Sequence, residues 1–320
     1  MTAAGGRSLT PGDRRESDGA DWAARAPRLV ATDLDGTLLR PDGSVSPRTA
    51  RALAALDDAG VPVVFVTARP HRWLVDLVPH VGRHGTALCA NGASVVDVAT
   101  LAVVEEHGMT PDVVRAVAAR LRAVVAPAGA VHLAVERTEG FAHERGFVTE
   151  HPAQPGAPAA DRIEDLLTAS TLKLLVRTDP PPPPDGAQAW TDALVRAVGT
   201  LALVQDSGAH GLGEIAAPGV TKASALSRWA DRHGIDAADV WAVGDAPNDL
   251  PMLAWAGTAF AVANAHPQVL EAADHVLPPN DQDGVAVLLE HAAPHSSARS
   301  VPPPSRTDRT DSPDGPSRPD

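Results

Sequence analysis

The sequence predicts an α/β protein, a doubly wound parallel sheet interrupted by an inserted α+β domain. Three observations carry that expectation. Short apolar runs alternate with helical stretches near both ends of the chain. Asp33, Thr67, Asn91 and Asp245 each close one of those runs, where a parallel sheet gathers its ligands. Residues 93–207 break the alternation with paired short strands and mixed elements.

In chain order, "RLVATD" and "VPVVFVT" read as strands. Between them Ser46 and Pro47 supply an N-cap and a first-turn proline for a helix over residues 48–60. "TALCAN" is a third strand. The insertion opens on the paired strands "ASVVDV" and "TLAVVEE" and continues with a helix from Thr110-Pro111. "AVHLAVER", "TLKLLVR" and "TLALVQD" follow as strands with helices between them. "DPPPPPDG" is a stiff surface loop, because consecutive prolines continue neither helix nor sheet. "DVWAVGD", "TAFAVAN" and "HVLP" resume the parallel pattern. The expected division is a discontinuous core over residues 28–92 and 209–291, an inserted domain over 93–208, and disordered tails at 1–27 and 292–320.

Composition narrows the function. Of 320 residues, 44% are hydrophobic and 21% charged, enough for a substantial core. A net charge of -13 argues against a partner held by its phosphate backbone, so no nucleic acid is expected. Cys89 is the only cysteine, which excludes an internal disulfide and a cysteine-rich zinc site. No apolar run approaches the roughly 18 residues of a membrane span. Arg14 and Arg15 are followed by Glu16, Ser17 and Asp18 rather than by an export signal's apolar segment. A cytoplasmic protein without membrane contact is expected.

Asp33 and Asp35 stand two apart, so on an ideal strand they share a face, and Gly36-Thr37 lets the chain turn after them. Paired carboxylates repel unless a cation lies between them or one is protonated, which is also what a nucleophile beside an acid-base group requires. A second acidic group, Asp245 and Asp249 in "GDAPNDLPML", brackets Asn248. Four carboxylates without cysteine or paired histidines describe a hard oxygen site suited to Mg2+. "GAHGLGE" is followed by strand-like "EIAAPG" where a dinucleotide site needs a helix, and no H-E-x-x-H pattern occurs. Trp241 and Trp255 are expected in the core.

In this order "DLDGT", "VVFVTAR", "GVTKASAL" and "GDAPNDLPML" resemble the four motifs of the haloacid dehalogenase superfamily of phosphotransferases. The insertion between the second and third motifs, the "NGA" that opens it and the closing "ANAHPQVLEAADHVLPPNDQDGVA" are similar to the Cof-type, subfamily IIB branch. Ala68 and Ala223 replace glycines common in relatives and remove no reacting group. The resemblance implies a Rossmann-like core under a C2-type α/β cap, and the following roles. Asp33 is the nucleophile that forms an aspartyl-phosphate, and Asp35 is the acid and base. Thr67 and Lys222 stabilise the phosphoryl group. Mg2+ is held by Asp33, the Asp35 main-chain carbonyl, Asp245, and Asp249 through water. Arg69, Asn91 and Asn248 position substrate or the fourth motif, and Lys173 or Arg145 reaches from the cap.

The function so implied is a phosphatase acting on a small-molecule phosphate ester, either a sugar phosphate or a nucleotide- or coenzyme-related one, by a monomer or homodimer. The alternatives are a sugar phosphomutase and a non-enzymatic phospho-acceptor. Asp35 argues against the second, because storing a phosphate needs no acid for a leaving alcohol.

Overall fold

A computed structural model describes residues 26–81, 85–125, 129–148, 156–206 and 210–293. Apart from residues 26, 27, 292 and 293, the two expected tails lie outside the described residues.

The N-terminal unit forms as its pattern dictates. β1 (Leu29–Thr32) and β2 (Val63–Val66) are four-residue strands buried throughout. Between them runs α1 (Pro47–Ala59), whose cap Ser46 accepts the Thr49 N–H at 3.0 Å and whose C-cap Gly60 takes the left-handed conformation. β3 (Thr86–Cys89) follows. After the expected insertion come α4 (Lys222–Arg232), β12 (Val240–Gly244), α5 (Leu250–Trp255), β13 (Thr258–Val262), α6 (Pro267–Ala272), β14 (His275–Leu277) and α7 (Gly284–Ala292). Parallel pairing gives the order β14-β13-β12-β1-β2-β3. α1 packs on α7, α4 packs on α5, and the sheet's apolar side chains form one core with them. Trp241 is buried in that core and Trp255 packs partly buried against it.

The insertion divides differently from the expected 93–208. β4 (Ser94–Asp97) and β5 (Ala102–Glu106) extend the first sheet to eight strands, β4 antiparallel to β3 and β5 antiparallel to β4. The tight turn at Ala90–Gly92 reverses the chain and lays β4 beside the strand it has just left. At the other end β11 (Gly213–Ala216), placed in the core by the expected cut at 209, joins the second sheet by pairing with β9 (Lys173–Asp179). That sheet has the order β10-β11-β9-β6-β7-β8, with β6 at Ala130–Arg137, β7 at Gly140–Glu144, β8 at Ala159–Ala160 and β10 at Leu203–Gln205. β7 had no strand expectation, since "GFAHE" is short and half polar.

One face of the second sheet is covered by α2 (Pro111–Val125) and α3 (Ala187–Val198), with Leu133, Val135, Leu174, Val176 and Ile215 buried among them. Strand residues alternate in direction, so Glu136 opposite Lys173, and Ala134 and Glu214 both opposite Leu175, share the other face. That face meets the carboxyl end of the first sheet. Among the described residues no helix is long and apolar enough to cross a membrane.

Candidate active site

The site grows from the end of β1. The Asp33 N–H donates to the Val243 carbonyl at 3.0 Å, which continues the β1–β12 ladder one step and points the Asp33 side chain inward, only 4% exposed. The chain then kinks at Asp35 (φ -75°, ψ 124°) and Gly36 (φ 76°). A Cβ on Gly36 would fall 2.4 Å from Asp245 Oδ2, so glycine is needed both for the left-handed turn and for this close approach. Thr37 Oγ1 donates to Asp245 Oδ1 at 2.7 Å.

Lys222, the first residue of α4, is 2% exposed and points back into the cluster. Its Nζ donates to Asp33 Oδ1 at 2.6 Å and to Asp249 Oδ1 at 2.7 Å. The other Asp249 oxygen accepts the N–H groups of Asp245 and Ala246, each at 3.0 Å, so this buried carboxylate ties the loop after β12 to the lysine. Carboxylate oxygens of Asp33, Asp245 and Asp249 all lie within 4.8 Å of one another.

Burial lifts Asp33 well above the ordinary carboxylate range; Lys222 opposes the shift, while Asp249 and Asp245 add to it. Burial also raises Asp245, against the Thr37 hydrogen bond and with help from the Asp249 charge. For Lys222 burial works against the charge, but the Asp249 and Asp33 carboxylates outweigh it and hold the ammonium protonated above the usual lysine range. Three carboxylates against one ammonium leave the cluster anionic. Its donors are all hard oxygens, with neither cysteine nor histidine in the group. This donor set fits a small hard divalent cation such as Mg2+.

The Asp35 side chain stands apart from that cluster, contrary to the ideal-strand expectation that it shares a face with Asp33. β1 has already ended at Thr32, so strand alternation does not govern Asp35. Its side chain is 58% exposed and held by Arg69 through two hydrogen bonds, Nε to Oδ2 at 2.8 Å and Nη2 to Oδ1 at 2.6 Å. Arg69, expected near the substrate, is thus the partner of Asp35. Burial disfavours its charge, but the Asp35 hydrogen bond prevails and raises its pKa.

Thr67 is fully buried at the end of β2, and its Oγ1 accepts the Arg69 N–H at 3.0 Å. The Asn91 N–H donates to the Thr67 carbonyl at 2.9 Å. Asn91 takes the left-handed conformation (φ 57°) that asparagine tolerates better than most residues. Its Oδ1 accepts Asn248 Nδ2 at 3.1 Å and its Nδ2 donates to Glu214 Oε2 at 3.1 Å. Lys173 Nζ in turn lies 3.0 Å from Glu214 Oε1 and donates to the Ala68 carbonyl at 2.9 Å. Arg145, the alternative cation of the second sheet, is exposed and paired with Asp161 at 2.9 Å.

Glu214, Glu136 and Arg72 were missed from sequence. Glu214 links Lys173 to Asn91, and Arg72 Nη2 donates to the buried Glu136 at 2.5 Å. The available signal was a single acid within an otherwise apolar strand, "GEIA" for Glu214 and "LAVER" for Glu136.

A doubly wound sheet with a buried lysine among three aspartates at its carboxyl end defines a phosphoryl-transfer class of hydrolase. The family profile of haloacid dehalogenase-like hydrolases matches residues 30–289, and the chain belongs to that family. Its fold, both sheets included, is similar to that of a solved subclass IIB sugar phosphatase, BT4131, with a TM-score of 0.65 at 19% identity, covering 82% of this chain and 98% of that one. The chain is 28% identical over 282 residues to the pyridoxal phosphate phosphatase YbhA of Escherichia coli, spanning 82% of this chain and 97% of that protein. It is 30% identical over 261 residues to a phosphoglycolate phosphatase of Halorubrum lacusprofundi, spanning 81% and 95%. The crystal structure of SMU.1108c from Streptococcus mutans superposes with a TM-score of 0.71 at 21% identity, covering 83% of this chain and 98% of that one.

Proposed function

We propose that this hydrolase is a magnesium-dependent phosphatase that acts on a small-molecule phosphate monoester through a phosphorylated Asp33. The observation that carries this reading is Lys222 Nζ seated between Asp33 and Asp249, with Asp245 closing the carboxylate group. Asp33, Asp245, the Asp35 carbonyl and, through water, Asp249 would hold the cation. When bound, Mg2+ supplies charge that offsets carboxylate and phosphate repulsion and keeps Asp33 ionised.

The protein's own groups do the rest. An Asp33 carboxylate oxygen attacks phosphorus and the ester P–O bond breaks, with Thr67 and Lys222 stabilising the charge on the phosphoryl oxygens. Asp35 delivers a proton to the departing alkoxide and then takes one from the water that cleaves the acyl phosphate. Arg69 holds the exposed Asp35 carboxyl, which has to leave that grip to serve as acid. The cap closes over Asp33 through the Lys173 contact to Ala68 and excludes water during attack. A free, buried Cys89 suits a reducing cytoplasm.

The test is phosphate release from a panel of sugar, nucleotide and coenzyme-related monoesters, with Mg2+ or with chelator. Turnover is expected to require Mg2+ and to vanish in Asp33→Asn. Metal-independent turnover, or an active Asp33→Asn variant, overturns the reading.

A further inference from the structure

Beyond the reacting centre, the face that the cap sheet turns to the core carries a second buried constellation. Glu136 on β6 stands opposite Lys173 on β9 and opposite Phe141 on β7, so the three side chains lie on one face. Glu136 Oε1 accepts from Arg72 Nη2, whereas Oε2 is buried and has no hydrogen-bond partner among the described residues. The Arg72 guanidinium lies over Trp73 at 5.0 Å and over Phe141 at 5.7 Å.

This constellation is placed on the leaving-group side. Asp35, the proposed acid, is held by Arg69, and Arg69 Nη1 donates to the Trp73 carbonyl at 3.4 Å. Arg72, adjacent to Trp73, then reaches Glu136. Lys173 makes a second link, from the neighbouring cap strand to Ala68 beside Thr67. Glu136 is 5% exposed and Asp33 is 4% exposed, so both are shut in when the cap is down. A substrate that reaches Asp33 must part the same seam that covers Glu136.

Resting on the phosphatase reading, we infer that Glu136 and Phe141 form a leaving-group subsite for a neutral hydroxylated moiety, a sugar or polyol, with Glu136 Oε2 accepting a substrate hydroxyl. An ionised carboxylate offers only acceptor oxygens, and a hydroxyl supplies the donor that Oε2 lacks. The Phe141 ring beside it provides an apolar surface for the C–H face of a sugar. Arg72 is paired with Glu136 and Lys173 with Glu214, so neither of these two cations is left over for an acidic leaving group. A carboxylate brought against Oε2 would meet a like charge without a donor. Burial, the first influence on Glu136, raises its pKa even though Arg72 and Lys173 pull it down. A protonated Glu136 would still serve, since its second oxygen remains an acceptor.

The experiment compares kcat/KM for a hexose 6-phosphate, phosphoglycolate and p-nitrophenyl phosphate in wild type, Glu136→Leu and Glu136→Gln. Wild type is expected to favour the hexose phosphate over phosphoglycolate. Glu136→Leu should lose roughly 10- to 100-fold on the hexose phosphate and less than about threefold on p-nitrophenyl phosphate, whose leaving group has no hydroxyl to donate. Glu136→Gln keeps an acceptor oxygen and the shape, and should lose less, in the same direction. If the leucine variant does not fold, the glutamine variant's hexose-to-nitrophenyl ratio decides. Equal losses on both substrates, or a wild type that prefers phosphoglycolate, overturns the subsite. Failure of wild type on p-nitrophenyl phosphate and every other ester would instead remove the phosphatase reading itself.

Discussion

Replacing Lys222 with methionine tests the electrostatics of the centre most directly. Methionine retains much of the apolar stem and removes the charge. With oxygens within 4.8 Å of one another, each ionised pair among Asp33, Asp245 and Asp249 repels by about 3.5 kcal/mol at an effective dielectric of about 20. Lys222 offsets that repulsion by bonding Asp33 and Asp249 at 2.6 and 2.7 Å. Breaking a buried ion pair by removing one partner costs about 3–5 kcal/mol, so Lys222→Met should be destabilised by that amount near neutral pH without metal.

Protonation limits the loss. Asp33 and Asp245 have pKa values above their unfolded ones, so the folded chain binds more protons and its stability falls as pH rises through that interval. Removing the cation that opposes the Asp33 shift carries the interval higher. The variant's deficit should therefore grow as pH rises above the ordinary carboxylate range in urea denaturation without Mg2+. Phosphate release should fall at least about 100-fold as transition-state charge loses its partner. A deficit below about 1 kcal/mol, or one that shrinks as pH rises, would refute this account of the cluster.

Two further outcomes follow from the same geometry. Gly36→Ala puts a methyl against Asp245 Oδ2 in a left-handed turn; it should cost about 1–2 kcal/mol in denaturation and weaken Mg2+ binding measured by calorimetry. Protons and Mg2+ compete for Asp33 and Asp245, whose raised pKa values make the metal-free cluster lose charge as pH falls. The acidic limb of the kcat/KM profile should move to lower pH as Mg2+ is increased, and a limb indifferent to Mg2+ would count against metal binding at these carboxylates.

The sequence by itself determined the local elements and the carboxylates that cluster at the sheet's end. Period-two and helical patterns, with Ser46-Pro47 and Gly60 as punctuation, place α1 and its flanking strands, because capping and alternation act over a few residues. Acids at the ends of separate strands identify Asp33, Asp245 and Asp249 because parallel pairing brings those ends together, and the structure gathers all three around Lys222. Tertiary structure decided what depends on distant partners. Strand composition did not say which sheet β4, β5 and β11 would join, since pairing is settled by the neighbour available across the ladder. Asp35 turned to Arg69 because β1 stops at Thr32, and an ideal-strand face no longer applied. Glu136 and Glu214 looked like ordinary strand acids; only folding across the seam, where burial forces each charge to find a partner, joined them to Arg72, Lys173 and Asn91.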